Sequence, residues 1–136
     1  MKINSYLMFN GNCEAAFKFY QQCLGGEITM MLTHGEAPSA EHVSPEWHDK
    51  IMHACLEVGD RFLMGSDSPS GYFETPQGFY VQISVAEPAE AERIFSALVE
   101  NGKVKMPLEQ TFWSARFGML VDRFGTPWMV NCEQTT

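Results

Sequence analysis

The sequence predicts an α+β chain assembled from two related halves, each ordered strand, helix, strand, strand, strand. Three observations point there. Short apolar runs with period-two character recur along the chain. An amphipathic helical segment closed by glycine follows the first strand of each half. An offset of 76 aligns Glu14 with Glu90, Ala15 with Ala91, Phe19 with Phe95, Gly26 with Gly102 and Ile28 with Val104. One such unit cannot cover its own sheet, so two must pack together.

The elements follow in order. Residues 3–9 alternate as a first strand, and Asn10-Gly11-Asn12 is a turn in which Asn12 is placed to cap a helix. Between Cys13 and Leu24 the apolar residues Ala16, Phe17, Phe19, Tyr20, Cys23 and Leu24 fall at helical spacing, and Gly25-Gly26 stop the helix. Glu27–Thr33 is a strand. Residues 34–50 carry two prolines and mixed charge, the composition of a long functional loop. Strands follow at Ile51–Val58 and, after the Gly59-Asp60 turn, at Arg61–Ser66. The Pro-, Gly- and Ser-rich stretch 67–78 reads as a linker. The second half restarts with a strand at Phe79–Val85. Pro88 suits a helix start, and Ala91, Ile94, Phe95, Leu98 and Val99 give the helix Ala89–Glu100 an apolar face. Strands at Lys103–Pro107, Thr111–Asp122 and Pro127–Cys132 complete it. The expectation is one domain over 1–136, with module one at 1–67, a linker at 68–78 and module two at 79–134.

Composition narrows the function. The 136 residues are 45% hydrophobic and 19% charged, the balance of an ordinary globular chain. A net charge of −8 repels a phosphate backbone, so no nucleic-acid partner is expected. No apolar run approaches the roughly 20 residues of a membrane span, and no basic amphipathic stretch suits a membrane surface. The first ten residues lack the apolar core of a signal peptide, which makes the cytoplasm the expected compartment. Cys13, Cys23, Cys55 and Cys132 form no Cys-x-x-Cys pair and read as free, buried thiols.

Several motifs carry a resemblance. Phe19-Tyr20 followed by Leu24-Gly25, the stretch Leu63-Met64-Gly65-Ser66-Asp67-Ser68-Pro69, Trp113-Ser114-Ala115-Arg116-Phe117-Gly118 and Asp122-Arg123-Phe124-Gly125-Thr126-Pro127-Trp128-Met129-Val130-Asn131 are similar to the PhnB-like branch of the glyoxalase/bleomycin-resistance/dioxygenase (vicinal oxygen chelate) superfamily. The resemblance runs over nearly the whole chain. It implies two βαβββ modules whose curved, mostly antiparallel sheets enclose a cavity, with a helix on each convex face, and a homodimer.

In the enzyme branches of that superfamily a divalent metal is held by His, Gln or Glu from the first and last strands of each module, and acts as a Lewis acid. Carried over one by one, those positions fall on Ser5, Met64, Tyr80 and Met129. None is a His or a carboxylate, and thioether sulfur is too soft for Ni, Zn, Mn or Fe(II). Gln82 shares the face of Tyr80 but adds only one contact. No metal or other cofactor is therefore expected. His48 and His53 stand five apart, on opposite faces of a strand. His34 and His42 lie in the polar loop and are expected in solvent.

By alternation, Leu7, Phe9, Met64, Ser66, Tyr80, Gln82, Met129 and Asn131 share the concave side, joined by Trp113, Phe117 and Met119 from a neighbouring strand. Such a Met- and aromatic-rich wall with few polar groups suits a small organic ligand, and equally suits a filled core. Arg116 and Arg123 read as anchors for an acidic ligand or as partners of surface acids. Asp67 and Asp122 read as turn formers.

Four functions remain open: metal-free binding of a small organic molecule; a lyase, isomerase or dioxygenase with a rearranged metal site; a demethylubiquinone methyltransferase, a label that travels with this family; and a structural role. The third is disfavoured because a methyl-donor site needs a Gly-rich strand–turn–helix in a larger α/β domain, and Gly25-Gly26 end a helix here. Whether any reaction is catalysed is left open by the residues alone.

Overall fold

The computed structural model describes residues 1–38, 40–69 and 71–134. The chain forms two compact units, Met1–Glu74 and Thr75–Thr136. The first runs β1 (Ser5–Phe9), α1 (Cys13–Leu24), β2 (Glu27–Thr33), β3 (Ile51–Val58) and β4 (Arg61–Asp67). The second runs β5 (Val81–Val85), α2 (Pro88–Leu98), β6 (Lys103–Glu109), β7 (Ser114–Val121) and β8 (Pro127–Glu133). Each is a βαβββ unit with an open four-stranded mixed sheet, ordered β1-β4-β3-β2 and β5-β8-β7-β6. The first and last strands of each unit pair in parallel, and the other neighbours pair antiparallel. The two helices and eight strands stand close to their expected positions. No helix among the described residues is long and apolar enough to cross a membrane.

One face of each sheet is covered by the unit's own helix. In the first unit Phe9 packs edge-on to Phe17 (6.1 Å) and tilted against Tyr20 (6.4 Å), with Leu7, Ala16 and Leu56 also buried. In the second, Ala91, Ile94, Phe95 and Leu98 of α2 are buried, as are Leu120, Trp128 and Val130 of the sheet. Burying each large side chain contributes about 1.5–3 kcal/mol.

The N-terminus of α1 differs from expectation. Asn12 makes no side-chain cap. The capping oxygen comes from the far end of the unit: Asp67, at the close of β4, accepts from the backbone N–H groups of Gly11 (2.9 Å), Cys13 (3.0 Å) and Ile51 (2.8 Å). A carboxylate here also complements the positive end of the helix dipole. Asp67 is thus a long-range tie, not only a turn former. Asp122 is a turn former in full. Its carboxylate accepts from Phe124 N (2.8 Å), Thr126 N (3.0 Å) and Trp128 Nε1 (2.8 Å), closing the β7–β8 turn.

The glycine match of the sequence repeat has a steric cause. A Cβ on Gly26 would collide with the carbonyl oxygen of Glu57, and one on Gly102 with that of Val121. Both glycines sit where the helix exit passes under the end of the third strand. The bulges repeat too. Pairing shifts from Ile28–Leu56 to Met30–Cys55 in β2, and from Val104–Leu120 to Met106–Met119 in β6, leaving Thr29 and Lys105 as the extra residues.

The loop 34–50 folds into short 3-10 turns at His34–Glu36, Ala40–His42 and Pro45–Trp47. His48 Nε2 donates to the carbonyls of Ala40 and Val43, both at 2.9 Å, so this histidine braces the loop. His42 is exposed beside Glu41, as a solvated loop residue would be. His34 departs from that expectation, because its Nε2 is buried without a hydrogen-bond partner among the described residues.

Candidate functional site

The face of each sheet away from its helix carries the chemistry left over from the core. Strand register defines a row across it. In the first unit the row is Tyr6, Met64, Cys55, Met30. In the second it is Gln82, Met129, Met119, Met106. Six of the nine methionines (Met8, Met30, Met64, Met106, Met119, Met129) lie on these two faces. Met8, Met30 and Met106 are exposed, at 41%, 48% and 43%.

Polar groups are few and mostly engaged. On the first face the Tyr6 hydroxyl and His53 Nδ1 share a hydrogen bond of 3.1 Å, with the rings stacked at 5.7 Å. Ser66 Oγ donates to the Met8 sulfur at 3.6 Å. On the second, Gln82 Nε2 donates to Ser84 Oγ at 3.2 Å, and Ser114 Oγ donates to Asn131 Oδ1. Trp113 stands edge-on to Phe117 at 5.6 Å.

The expected site residues divide as follows. Met64 and Ser66 share the helix-free face of the first unit. Gln82, Met129, Asn131, Phe117 and Met119 share that of the second, and Trp113 leans on it through Phe117. Tyr80 stands one residue before β5 and lines a cavity at the end of the sheet. Leu7 and Phe9 do not belong. They pair with Gly65 and Asp67 and are buried on the helix side. Ser5 shares their parity, so the residue beside Met64 on the helix-free face is Tyr6. The cause is legible: Tyr6, Leu7, Met8 and Phe9 are all apolar or amphipathic, so alternation in β1 does not choose a face. The same slip hid Tyr6 and Met8. Met30 and Met106 follow bulges, which no sequence pattern marks, although the offset of 76 relates them.

The donor set does not fit the superfamily's divalent metal. With Tyr6 in place of Ser5, the four strand positions still offer two thioethers, a phenol and a phenol or amide. Among the described residues no three His, Cys, Asp or Glu side chains come together as ligands. A cysteine nucleophile is also poorly served at Cys13. Burial, with the charges of Asp67 and Glu14, holds its thiol far above the ordinary value, so it stays protonated at neutral pH. Arg116 pairs with Glu92 (3.1 Å) and Arg123 with Glu100 (3.5 Å), the partner-of-acids reading for both.

Comparison with known proteins agrees with this architecture. The family described as 3-demethylubiquinone-9 3-methyltransferase matches residues 1–131. Protein YjdN of Escherichia coli (strain K12) is 36% identical over 96% of this chain and 95% of its own. Protein PA1353 from Pseudomonas aeruginosa is 51% identical, with a TM-score of 0.91 and 99% of each chain covered. A putative 3-demethylubiquinone-9 3-methyltransferase, PhnB protein, from Bacillus cereus is 24% identical (TM-score 0.79, 97% of this chain and 99% of that one). A glyoxylase/bleomycin resistance protein/dioxygenase domain from Frankia sp. EAN1pec shares the fold at 10% identity (TM-score 0.68, 98% of each chain).

Proposed function

The chain belongs to the 3-demethylubiquinone-9 3-methyltransferase/PhnB family, and from that membership we propose that it binds a small organic molecule on its methionine-rich sheet faces, without a resident metal. The observation that carries the reading is the repeated row of soft, adaptable side chains, with Met64 and Met129 at equivalent positions. Thioether and aromatic surfaces mould to an apolar ligand, and Ser66, Gln82 and Asn131 offer sparse polar anchors. Tyr80, Phe117, Met119 and Trp113 extend that surface in the second unit. The protein acts as a cytoplasmic homodimer, since exposed apolar side chains such as Tyr6, Met8, Met30 and Met106 gain by being covered.

Methyl transfer is not favoured. A donor or phosphate group usually sits at a helix N-terminus after a Gly-rich turn. At α1 that position is filled by the chain's own Asp67 carboxylate. At α2 it is flanked by Glu87 and Glu90, with Pro88 removing a donor.

Native mass spectrometry set against the denatured mass tests the reading. A dimer carrying no metal, with or without an organic adduct, is the expected result. One metal ion per subunit would overturn it and put a lyase, isomerase or dioxygenase with a rearranged ligand set, drawing on His53, Glu57 and Gln82, in its place.

A further inference from the structure

At the end of the second sheet lies a cavity of about 610 Å³, within the range of roughly 300–1,000 Å³ typical of small-molecule sites. All of its lining residues belong to the second unit. It brings together Lys103, Lys105 and Arg123, three of the nine Lys and Arg residues of an acidic chain. Arg123 is paired with Glu100. Lys103 and Lys105 have no acidic partner among the described residues. The one acid in the lining, Asp122, is 3% exposed and turned to Phe124 N, Thr126 N and Trp128 Nε1. The cavity therefore carries an excess of positive charge. Phe79, Tyr80 and Pro127 supply apolar surface beside it.

The repeat shows that the fold does not need these lysines. Gly26 and Gly102 are equivalent, and so are the bulges at Thr29 and Lys105. At the same offset Glu27 corresponds to Lys103. One unit builds this corner with Glu and Thr, the other with two lysines. Lys105, the extra residue of the bulge, lines the cavity together with Lys103.

We propose that this cavity binds a small organic anion with an apolar or aromatic body, its acid group held by Lys103 and Lys105. Ammonium groups act as point charges, so they accept a carboxylate or a phosphate alike. The site does not depend on the binding role of the methionine-rich faces, with which it shares Tyr80.

Two-dimensional NMR titration of the full chain tests it, using benzoate, inorganic phosphate and the uncharged benzamide. Benzoate is expected to shift the amides of Gly78, Asn101–Lys105 and Gly125, more tightly than phosphate, and benzamide to leave them unmoved. The double variant Lys103→Glu with Lys105→Thr installs the first unit's residues. It is expected to keep the wild-type melting temperature and to weaken benzoate by about tenfold or more. No shift with benzoate, equal binding of benzamide, or unchanged affinity in the double variant would each overturn the proposal. A Trp113→Ala variant separates the two ideas: it perturbs the methionine-rich face and leaves benzoate binding intact.

Discussion

Two buried aspartates do more for this chain than their place in turns suggests. Asp67 satisfies three backbone donors from two separate segments, the entry to α1 and the start of β3. Replacing it with alanine leaves all three unpaired, at about 1–3 kcal/mol for each that stays dry. Asp67→Ala is expected to lose about 3–5 kcal/mol in urea unfolding, and a loss under about 1 kcal/mol would show that water substitutes freely. Asp122 opens the stretch Asp122–Asn131, one of those that carry the family resemblance, and its bonds to Phe124, Thr126 and Trp128 give that stretch a structural reason. At Cys13 the raised thiol pKa sets a sign: the folded state keeps a proton that the unfolded state releases. That contribution is fully present below the ordinary thiol value of about 8.5 and is lost as pH rises through the folded value. Alkaline titration of stability should therefore fall less steeply in Cys13→Ala than in wild type. At this scale the sequence shows residue types but not partners, which is why Asp67 reads as a turn former until β4 is placed beside α1.

Elements were legible where one face was apolar and the other was not. Both helices fall within two residues of their expected limits, because their apolar stripes and closing glycines agree. β1 was legible as a strand, but its facing was not, because both of its faces are apolar. Close packing between helix and sheet makes a further prediction. A Cβ on Gly65 would meet Leu7 O at 2.7 Å and the Phe17 ring at 2.8 Å, and one on Gly118 would meet the Phe95 ring at 2.8 Å and Leu108 Cα at 2.9 Å. Gly65→Ala and Gly118→Ala should each cost about 1–3 kcal/mol by overpacking, read as a drop in melting temperature. In the loop, Thr33 and Glu36 cap the turn His34–Glu36 reciprocally, and the Thr33 hydroxyl holds the Glu36 carboxyl below its usual value. Its support is present above the ordinary carboxylate range and lost as pH falls through the lowered value, so the Glu36 amide signal should move only at acid pH.

At the scale of the whole molecule, the duplication was readable from five matches, and the structure gives one of them, Gly26 and Gly102, a steric reason. Each clears a carbonyl oxygen, while the ring packed over the sheet glycine is Phe17 in the first unit and Phe95 in the second, a pair the offset of 76 does not align. The cavity at Lys103 and Lys105 was not readable, because Arg123 reaches it from another strand connection. With a net charge of −8, the protein should pass through a heparin column at neutral pH and physiological salt. Retention there would mean that the lysine corner outweighs the overall charge.

Asp67 also gives the chain a direction in time. Its donors lie at residues 11, 13 and 51, and it ends the strand that pairs with β1. During synthesis from the N-terminus, α1 waits with an unfinished first turn until residue 67 leaves the ribosome. Residues 11, 13, 51 and 67 all precede β5, so the residues of this tie are all in the nascent chain before the second unit is made.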